Sequence, residues 1–158
     1  MRSDQEGFVV GPQDGKAIWA QGHLFVLKAD REATGGSFSL TEMLVAPTPV
    51  LGAPPHIHLN EDEAFYVLEG VLSYQLGSRS AEASAGSLVF IPRGTVHAFT
   101  NVGPQPARLL FILALAGFEH FFEEIGEMAQ SRSLPEPPGP PDFNQLAALA
   151  KKYHYRLG

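Results

Sequence analysis

The chain has 158 residues, no cysteine and a formal net charge of −6. This length is typical of one domain, and the absence of cysteine excludes disulfides, thiolate metal sites and thiol nucleophiles. The basic residues are few and scattered, which argues against a nucleic-acid partner, and no apolar run approaches the roughly 20 residues of a membrane helix. We therefore expect a cytoplasmic protein with no nucleic-acid or membrane partner.

Short apolar or alternating segments, separated by turns, indicate an all-β fold. The 16 glycines and 13 prolines are typical of short strands joined by tight turns. Two strands are predicted to flank the turn at 92–94, and the others lie within seven segments: 17–20, 24–27, 37–46, 63–68, 70–76, 79–83 and 108–115. We expect the last of these to be buried on both faces. About nine or ten strands with few helical interruptions predict an antiparallel sandwich or barrel.

The last quarter of the chain has a helical pattern. Apolar residues recur at intervals of three and four from 118 to 128, which predicts an amphipathic helix packed on the barrel. Five prolines within 135–141 indicate a stiff linker. Asp142 is a suitable N-cap for a final helix from Phe143 to about Tyr153.

Four side chains could hold a metal ion. His56 and His58 are two apart, so on a strand both point to one face, and Glu63 follows five residues later. A third histidine, His97, begins a separate strand. Imidazole and carboxylate together suit a first-row transition metal, while three histidines alone would also suit catalytic zinc. The remaining histidines have no partner at ligand spacing, and we expect them on the surface: His23, His120 and His154.

These residues resemble the two sequence motifs of the cupin superfamily. The first motif is matched by four residues: His56, His58, Glu63 and Gly70. Its leading glycine departs from the pattern, because Gly52 lies four rather than six residues before His56. The second motif is matched at every position: Gly86, Pro92, Gly94, His97 and Asn101. The short separation of the motifs is similar to that of small bacterial cupins.

The resemblance implies a double-stranded β-helix, or jelly-roll barrel, in a single domain covering 1–158. The barrel would occupy about 16–116, and the two C-terminal helices would form an extension over about 117–158. In the family, the four matching residues bind one divalent transition metal in the barrel mouth: His56, His58, Glu63 and His97. Iron, manganese, nickel, zinc and copper all occur there. The C-terminal helices are more loosely similar to those of cupins compared with quercetin 2,3-dioxygenases.

Three functions follow from this interpretation. The first is a metal-dependent dioxygenase, an oxidoreductase acting on a small aromatic or enolic substrate, with Glu63 as a ligand and possible catalytic base. By strand parity Phe65 and Phe99 share the ligand face and are expected to form pocket walls. The alternatives are a metal-dependent isomerase or lyase of a small sugar or keto acid, and a non-catalytic small-molecule-binding protein. We also expect a homodimer, because an exposed sheet edge favours pairing.

Overall fold

The structure, a computed structural model, describes residues 6–158 and contains two antiparallel β-sheets and three short helices. The larger sheet has seven strands: β1 (Lys16–Ala20), β2 (His23–Ala29), β3 (Ser39–Val45), β5 (Asp62–Glu69), β8 (Leu88–Ile91), β10 (Ala107–Ala114) and β11 (Glu127–Met128). The smaller sheet has five strands: β4 (Ala53–His58), β6 (Val71–Leu76), β7 (Arg79–Ser84), β9 (His97–Asn101) and β12 (Tyr155–Leu157). The helices are α1 (Arg31–Thr34), α2 (Glu119–Ile125) and α3 (Phe143–Lys152).

The strand order confirms the predicted jelly roll. The larger sheet runs β11-β1-β2-β3-β10-β5-β8, and the smaller runs β12-β4-β9-β6-β7. The two sheets enclose one apolar core, because alternate side chains of each strand point inward. Within residues 6–158, no helix is long and apolar enough to cross a membrane.

Aromatic rings fill the core below the barrel mouth. Phe65 of β5 stacks on Phe111 of β10 with ring centroids 4.7 Å apart, and it meets Phe99 of the opposite sheet at 5.5 Å. Helix α2 and its N-cap residue Phe118 add three buried rings, and one of them, Phe122, stacks on Phe25 of β2 at 4.1 Å. The predicted apolar face of this helix therefore closes one side of the barrel.

The α2 helix is shorter than predicted, because it ends at Ile125 rather than continuing to 128. At Gly126 the backbone lies so close to β1 that a Cβ atom would be 2.4 Å from the Trp19 carbonyl oxygen. The next two residues pair with β1 as β11 instead of continuing the helix. The final helix is confirmed: Asp142 caps it by accepting hydrogen bonds from the backbone of Asn144 and Gln145.

Two predictions about burial were wrong. The 108–115 segment is buried on its inner face, but its outer side chains are partly exposed. His23 is fully buried instead of lying on the surface. Its Nε2 donates to the Leu51 carbonyl at 2.8 Å and its Nδ1 accepts from the Ala46 amide at 3.1 Å. His23 thus fixes the loop that leads into β4.

Candidate metal centre

The candidate ligands come from both sheets and meet in the barrel mouth. His56 and His58 point inward from β4, and antiparallel pairing places His97 of β9 directly opposite His56. Glu63 points inward from β5 of the larger sheet. All four side chains are buried, each with 5% or less of its surface exposed. The period of two along each strand accounts for this convergence.

The distances within the cluster suit a shared ion. One candidate ligand atom from each of the four residues lies within 4.8 Å of the other three. Glu63 Oε1 lies 3.0 Å from His58 Nε2, and Glu63 Oε2 lies 2.6 Å from His97 Nε2. Glu63 Oε2 and His97 Nε2 nevertheless lack a properly aligned hydrogen-bond partner, although both are buried. Buried polar atoms left in this state fit a site whose missing partner is a metal ion.

The outer nitrogens of two histidines are held by backbone carbonyls. His56 Nδ1 donates to the Pro54 carbonyl at 2.6 Å, and His97 Nδ1 donates to the Thr95 carbonyl at 2.9 Å. A carbonyl can only accept, so each Nδ1 carries the proton and each neutral ring keeps its Nε2 lone pair for the cluster. This is the orientation that histidine ligands of metals usually have.

The third histidine has a carboxylate behind it that the sequence analysis missed. Glu61 is 7% exposed, and its Oε2 lies 3.5 Å from His58 Nδ1. Neither of these two atoms has another hydrogen-bond partner among residues 6–158. The adjacent Asp62 faces the opposite way and pairs with Arg93 outside the barrel at 3.0 Å. Glu61 therefore belongs to the cluster, whereas Asp62 does not.

The electrostatics of the cluster favour an ionised Glu63. Burial raises the pKa of Glu63, but His58 and His97 outweigh burial and hold it well below its usual range. Burial lowers the pKa of His58, but Glu63 and Glu61 outweigh burial and raise it to about 9. Burial lowers the pKa of His56 to about 4, with repulsion from the other histidines adding to the effect. Without a metal, His58 thus keeps its proton at neutral pH and faces the ionised Glu63.

A comparison with protein families explains this arrangement. Residues 43–113, which include all four cluster residues, match the family model described as "Cupin domain". This segment is therefore similar to a cupin domain. Both motifs lie inside it, and they contact each other directly, because the Gly94 amide donates to the His58 carbonyl at 2.7 Å. Gly94 has a φ of 81°, which favours glycine at this motif position.

Curated relatives match parts of this chain. The chain is 35% identical over 80 residues to the uncharacterized HTH-type transcriptional regulator YdiP of Escherichia coli, a match covering 51% of this chain and 26% of that protein. The chain spans 26% to 44% of the length of the curated relatives that it matches.

Two solved structures have the same fold. One is described as a predicted oxalate decarboxylase from Thermotoga maritima, with a TM-score of 0.60, 18% identity, and coverage of 68% of this chain and 99% of that one. The other is a sugar phosphate isomerase from Silicibacter pomeroyi, with a TM-score of 0.51, 23% identity, and coverage of 59% of each chain. At these identities the similarity describes the jelly roll alone.

The cluster of candidate ligands borders a small aromatic pocket. The structure places both Phe65 and Phe99 in the pocket lining, together with five other phenylalanines: Phe25, Phe111, Phe118, Phe121 and Phe122. Gly52 is also in the lining, where a Cβ atom would be 2.6 Å from the Phe99 ring. The cavity volume is about 40 Å³, which is room for about two or three water molecules.

The C-terminal segment also contributes to the lining of this pocket. Strand β12 pairs with the ligand strand β4, with Tyr155 opposite His58. The Tyr155 ring lies 5.0 Å from the His56 ring, and the Phe118 ring of α2 lies 4.1 Å from that of His58. Burial and the nearby Glu63 raise the pKa of Tyr155 to about 12, so its hydroxyl stays protonated at neutral pH. The sequence analysis did not identify Tyr155, because a strand of three residues leaves little periodic pattern.

Proposed function

We propose that His56, His58, Glu63 and His97 bind one divalent transition-metal ion. Three observations support the proposal: the burial of all four side chains, the convergence of their ligand atoms, and the lack of an aligned hydrogen-bond partner for Glu63 Oε2 and His97 Nε2. Three imidazoles with one carboxylate suit iron, manganese, nickel, zinc or copper.

We further propose that the protein is a metal-dependent enzyme that moves a proton on a small uncharged carbonyl or enol compound, as an isomerase or lyase does. The observation that carries this proposal is the position of Glu63, an ionised carboxylate in the lining of an aromatic pocket. A bound divalent metal would supply Lewis acidity to a carbonyl or hydroxyl oxygen. Glu63 would accept the proton on a carboxylate oxygen, while the aromatic walls exclude water.

The pocket chemistry argues for an uncharged substrate. Among residues 6–158, no lysine or arginine belongs to its lining. Two arginines of the strand region are held elsewhere by carboxylates: Arg93 pairs with Asp62, and Arg108 pairs with Glu42 and Glu69 on the outer face. A phosphate or carboxylate group would therefore have no basic side chain to bind, and any part of it that does not reach the proposed metal would be desolvated at a cost. A phosphorylated sugar or a keto acid is disfavoured for that reason.

A dioxygenase acting on a small aromatic or enolic substrate is the second candidate. The phenylalanine-rich lining favours it, because aromatic walls stack well on a planar substrate. Neither the isomerase nor the decarboxylase named above is described as a dioxygenase. A flavonol is much larger than the cavity, so it could enter only if Phe118 and Tyr155 moved apart.

One experiment distinguishes the two candidates. Chelator-stripped protein is loaded with each metal in turn and incubated anaerobically in D2O with hydroxyacetone, while NMR follows exchange of the α-hydrogens. Proton-transfer catalysis predicts metal-dependent exchange that is lost in Glu63→Gln. A parallel oxygen-electrode assay uses acetylacetone and a flavonol. Oxygen uptake without anaerobic exchange would favour the dioxygenase, and metal binding without either activity would indicate a non-catalytic binding protein.

A further inference from the structure

Tyr153 and Tyr155, two tyrosines near the end of the chain, pack against the same pair of phenylalanine rings. Their ring centroids lie between 5.6 and 6.0 Å from those of Phe118 and Phe121. The hydroxyl groups of the two tyrosines differ. The Tyr153 hydroxyl donates to the Glu124 carboxylate at the surface, whereas the Tyr155 hydroxyl has no hydrogen-bond partner in the part of the chain that the structure describes. A buried side chain with an unpaired polar atom needs an explanation, and a ligand would supply the missing partner.

Tyr155 lies beside the candidate ligand cluster. Its ring is 5.0 Å from the His56 ring and 5.7 Å from the His58 ring. Burial and then the charge of Glu63 raise the pKa of Tyr155, so the carboxylate acts on this hydroxyl group. Of the described residues that line the pocket, only Tyr155 carries a hydroxyl group. Tyr155 also lies outside residues 43–113, so the match to the cupin family model assigns it no role.

The surrounding chain fixes the position of Tyr155. Backbone hydrogen bonds anchor its strand to β4 on both sides: the Leu59 amide donates to the His154 carbonyl at 3.2 Å, and the Gly158 amide donates to the Pro55 carbonyl at 2.7 Å. The Tyr155 ring is enclosed by two imidazoles and two phenylalanine rings, and the residue is 8% exposed. A donor that is fixed before the substrate arrives needs no reorganisation when charge develops during a reaction.

We propose that Tyr155 is a catalytic residue whose hydroxyl group donates a hydrogen bond to the carbonyl oxygen of an uncharged aldehyde or ketone, while Glu63 takes a proton from the neighbouring carbon. This inference rests on the proposed proton-transfer function and specifies its substrate class. The C–H bond breaks, its electron pair forms the carbon–carbon double bond of an enolate, and the carbonyl π electrons move onto the oxygen that Tyr155 binds. Glu63 then returns a proton to a carbon of the enolate, so the step needs no other reactant.

A neutral hydroxyl group suits a carbonyl substrate. A phenol with its ordinary pKa near 10 is protonated at neutral pH, so Tyr155 donates, and a carbonyl oxygen can only accept. The hydrogen bond becomes stronger as the oxygen gains negative charge, which is the condition for accelerating the reaction. The described lining provides no lysine or arginine for this charge, so the donor among the side chains is Tyr155. A cavity of about 40 Å³ limits the substrate to a few non-hydrogen atoms.

Tyr155→Phe tests the proposal, because it keeps the aromatic ring and removes only the hydroxyl group. Metal-loaded full-length protein is incubated with hydroxyacetone in D2O, and NMR follows exchange of the α-hydrogens. We expect kcat to fall roughly 100- to 1,000-fold with little change in KM, since one donor to the developing oxyanion is lost. Metal affinity should not change, because the hydroxyl group is not a proposed ligand. The matched control is Tyr153→Phe, which removes a hydroxyl group outside the pocket and should keep the wild-type kcat.

Calorimetric binding of acetohydroxamate, whose two oxygens resemble those of an enediol, provides a measurement without turnover. Tyr155→Phe is expected to weaken binding to metal-loaded protein roughly tenfold, and Tyr153→Phe should leave it unchanged. Wild-type exchange that Tyr155→Phe leaves intact would overturn the role of Tyr155 while the proposed function stands. If wild-type protein does not exchange hydroxyacetone but binds acetohydroxamate through Tyr155, the proposed function fails, and with it the catalytic role. Acetohydroxamate binding that is absent, or equal in wild type and Tyr155→Phe, would overturn the hydrogen bond itself.

Discussion

The barrel mouth buries Glu63 with three imidazoles, whereas Glu119 and His23, which we call the rim residues, are buried at separate positions outside the ligand cluster. Glu119 accepts two backbone hydrogen bonds, and both nitrogens of His23 bond to backbone. In the mouth, Glu63 faces His58 and His97, and the opposed atoms of Glu63 and His97 lack an aligned partner. Polar groups that are satisfied by backbone fix the chain, whereas groups that face one another are available to bind something else.

This comparison predicts that a change in the mouth removes binding but leaves the fold. His97→Ala is expected to weaken metal affinity by roughly a thousandfold, because one of four ligands is lost. Calorimetric titration measures the affinity, and circular dichroism should show that the metal-free variant still folds. His120→Ala, which alters a histidine on α2, is the control and should leave affinity unchanged. An affinity for His97→Ala within threefold of wild type would contradict the ligand assignment.

A change at the rim should have the opposite effect. Glu119→Ala removes the acceptor for the Arg31 amide at 2.7 Å and the Gly117 amide at 2.6 Å. We expect the free energy of unfolding in urea to fall by about 2–4 kcal/mol, since charge-assisted hydrogen bonds are lost. Metal affinity of the folded protein should stay the same. If Glu119→Ala were as stable as wild type, the carboxylate would not be needed to fix the start of α2.

Glu61 lies behind the candidate ligand cluster and contacts it through His58. Glu61→Gln keeps the shape but removes the charge behind His58 Nδ1, so metal affinity is expected to fall roughly 10- to 100-fold. Asp62→Asn makes the same change at the adjacent position outside the barrel and is the matched control. If both substitutions lowered metal affinity equally, the net charge of the region, rather than the contact of Glu61 with His58, would determine the affinity.

The smallest predicted effect concerns pH. Burial lowers the pKa of His23 below that of an unfolded histidine, near 6.5, so below pH 6.5 the unfolded state binds more protons than the native state. Stability should therefore fall as pH drops from 6.5 to 5, and His23 contributes up to about 1.4 kcal/mol per pH unit. In metal-free protein, His23→Leu should flatten this slope in urea titrations. An unchanged slope would show that His23 is not the residue responsible.

The convergence of the four candidate ligands was predictable from sequence because it depends on local geometry. The spacing of His56, His58 and Glu63 reflects the period of two along strands, and the second motif adds His97 at a fixed distance from its turn. The roles of the rim residues were not predictable in this way. His23 bonds to backbone groups 23 and 28 residues away, so nothing near it in sequence indicates its burial.

The faces of the strands were harder to assign than the strands themselves. In β3 the apolar side chains of Leu40 and Leu44 face outward, and the core receives Ser39, Thr41, Met43 and Val45. Periodicity separates two faces without saying which one is buried. Tyr155 was missed for a related reason: its place in the pocket depends on the pairing of β12 with β4, which no local pattern records.

Metal titration of the wild-type protein tests the central claim most directly. Protein stripped with chelator is titrated calorimetrically with Mn²⁺, Fe²⁺, Co²⁺, Ni²⁺, Cu²⁺ and Zn²⁺ at two pH values. The structure predicts one ion per chain, bound about tenfold more tightly for each pH unit up to about 9, because binding displaces the proton held by His58. Failure of all six metals to bind at micromolar concentration, or binding that Glu63→Gln and His97→Ala leave intact, would contradict the assignment of the barrel mouth as a metal site.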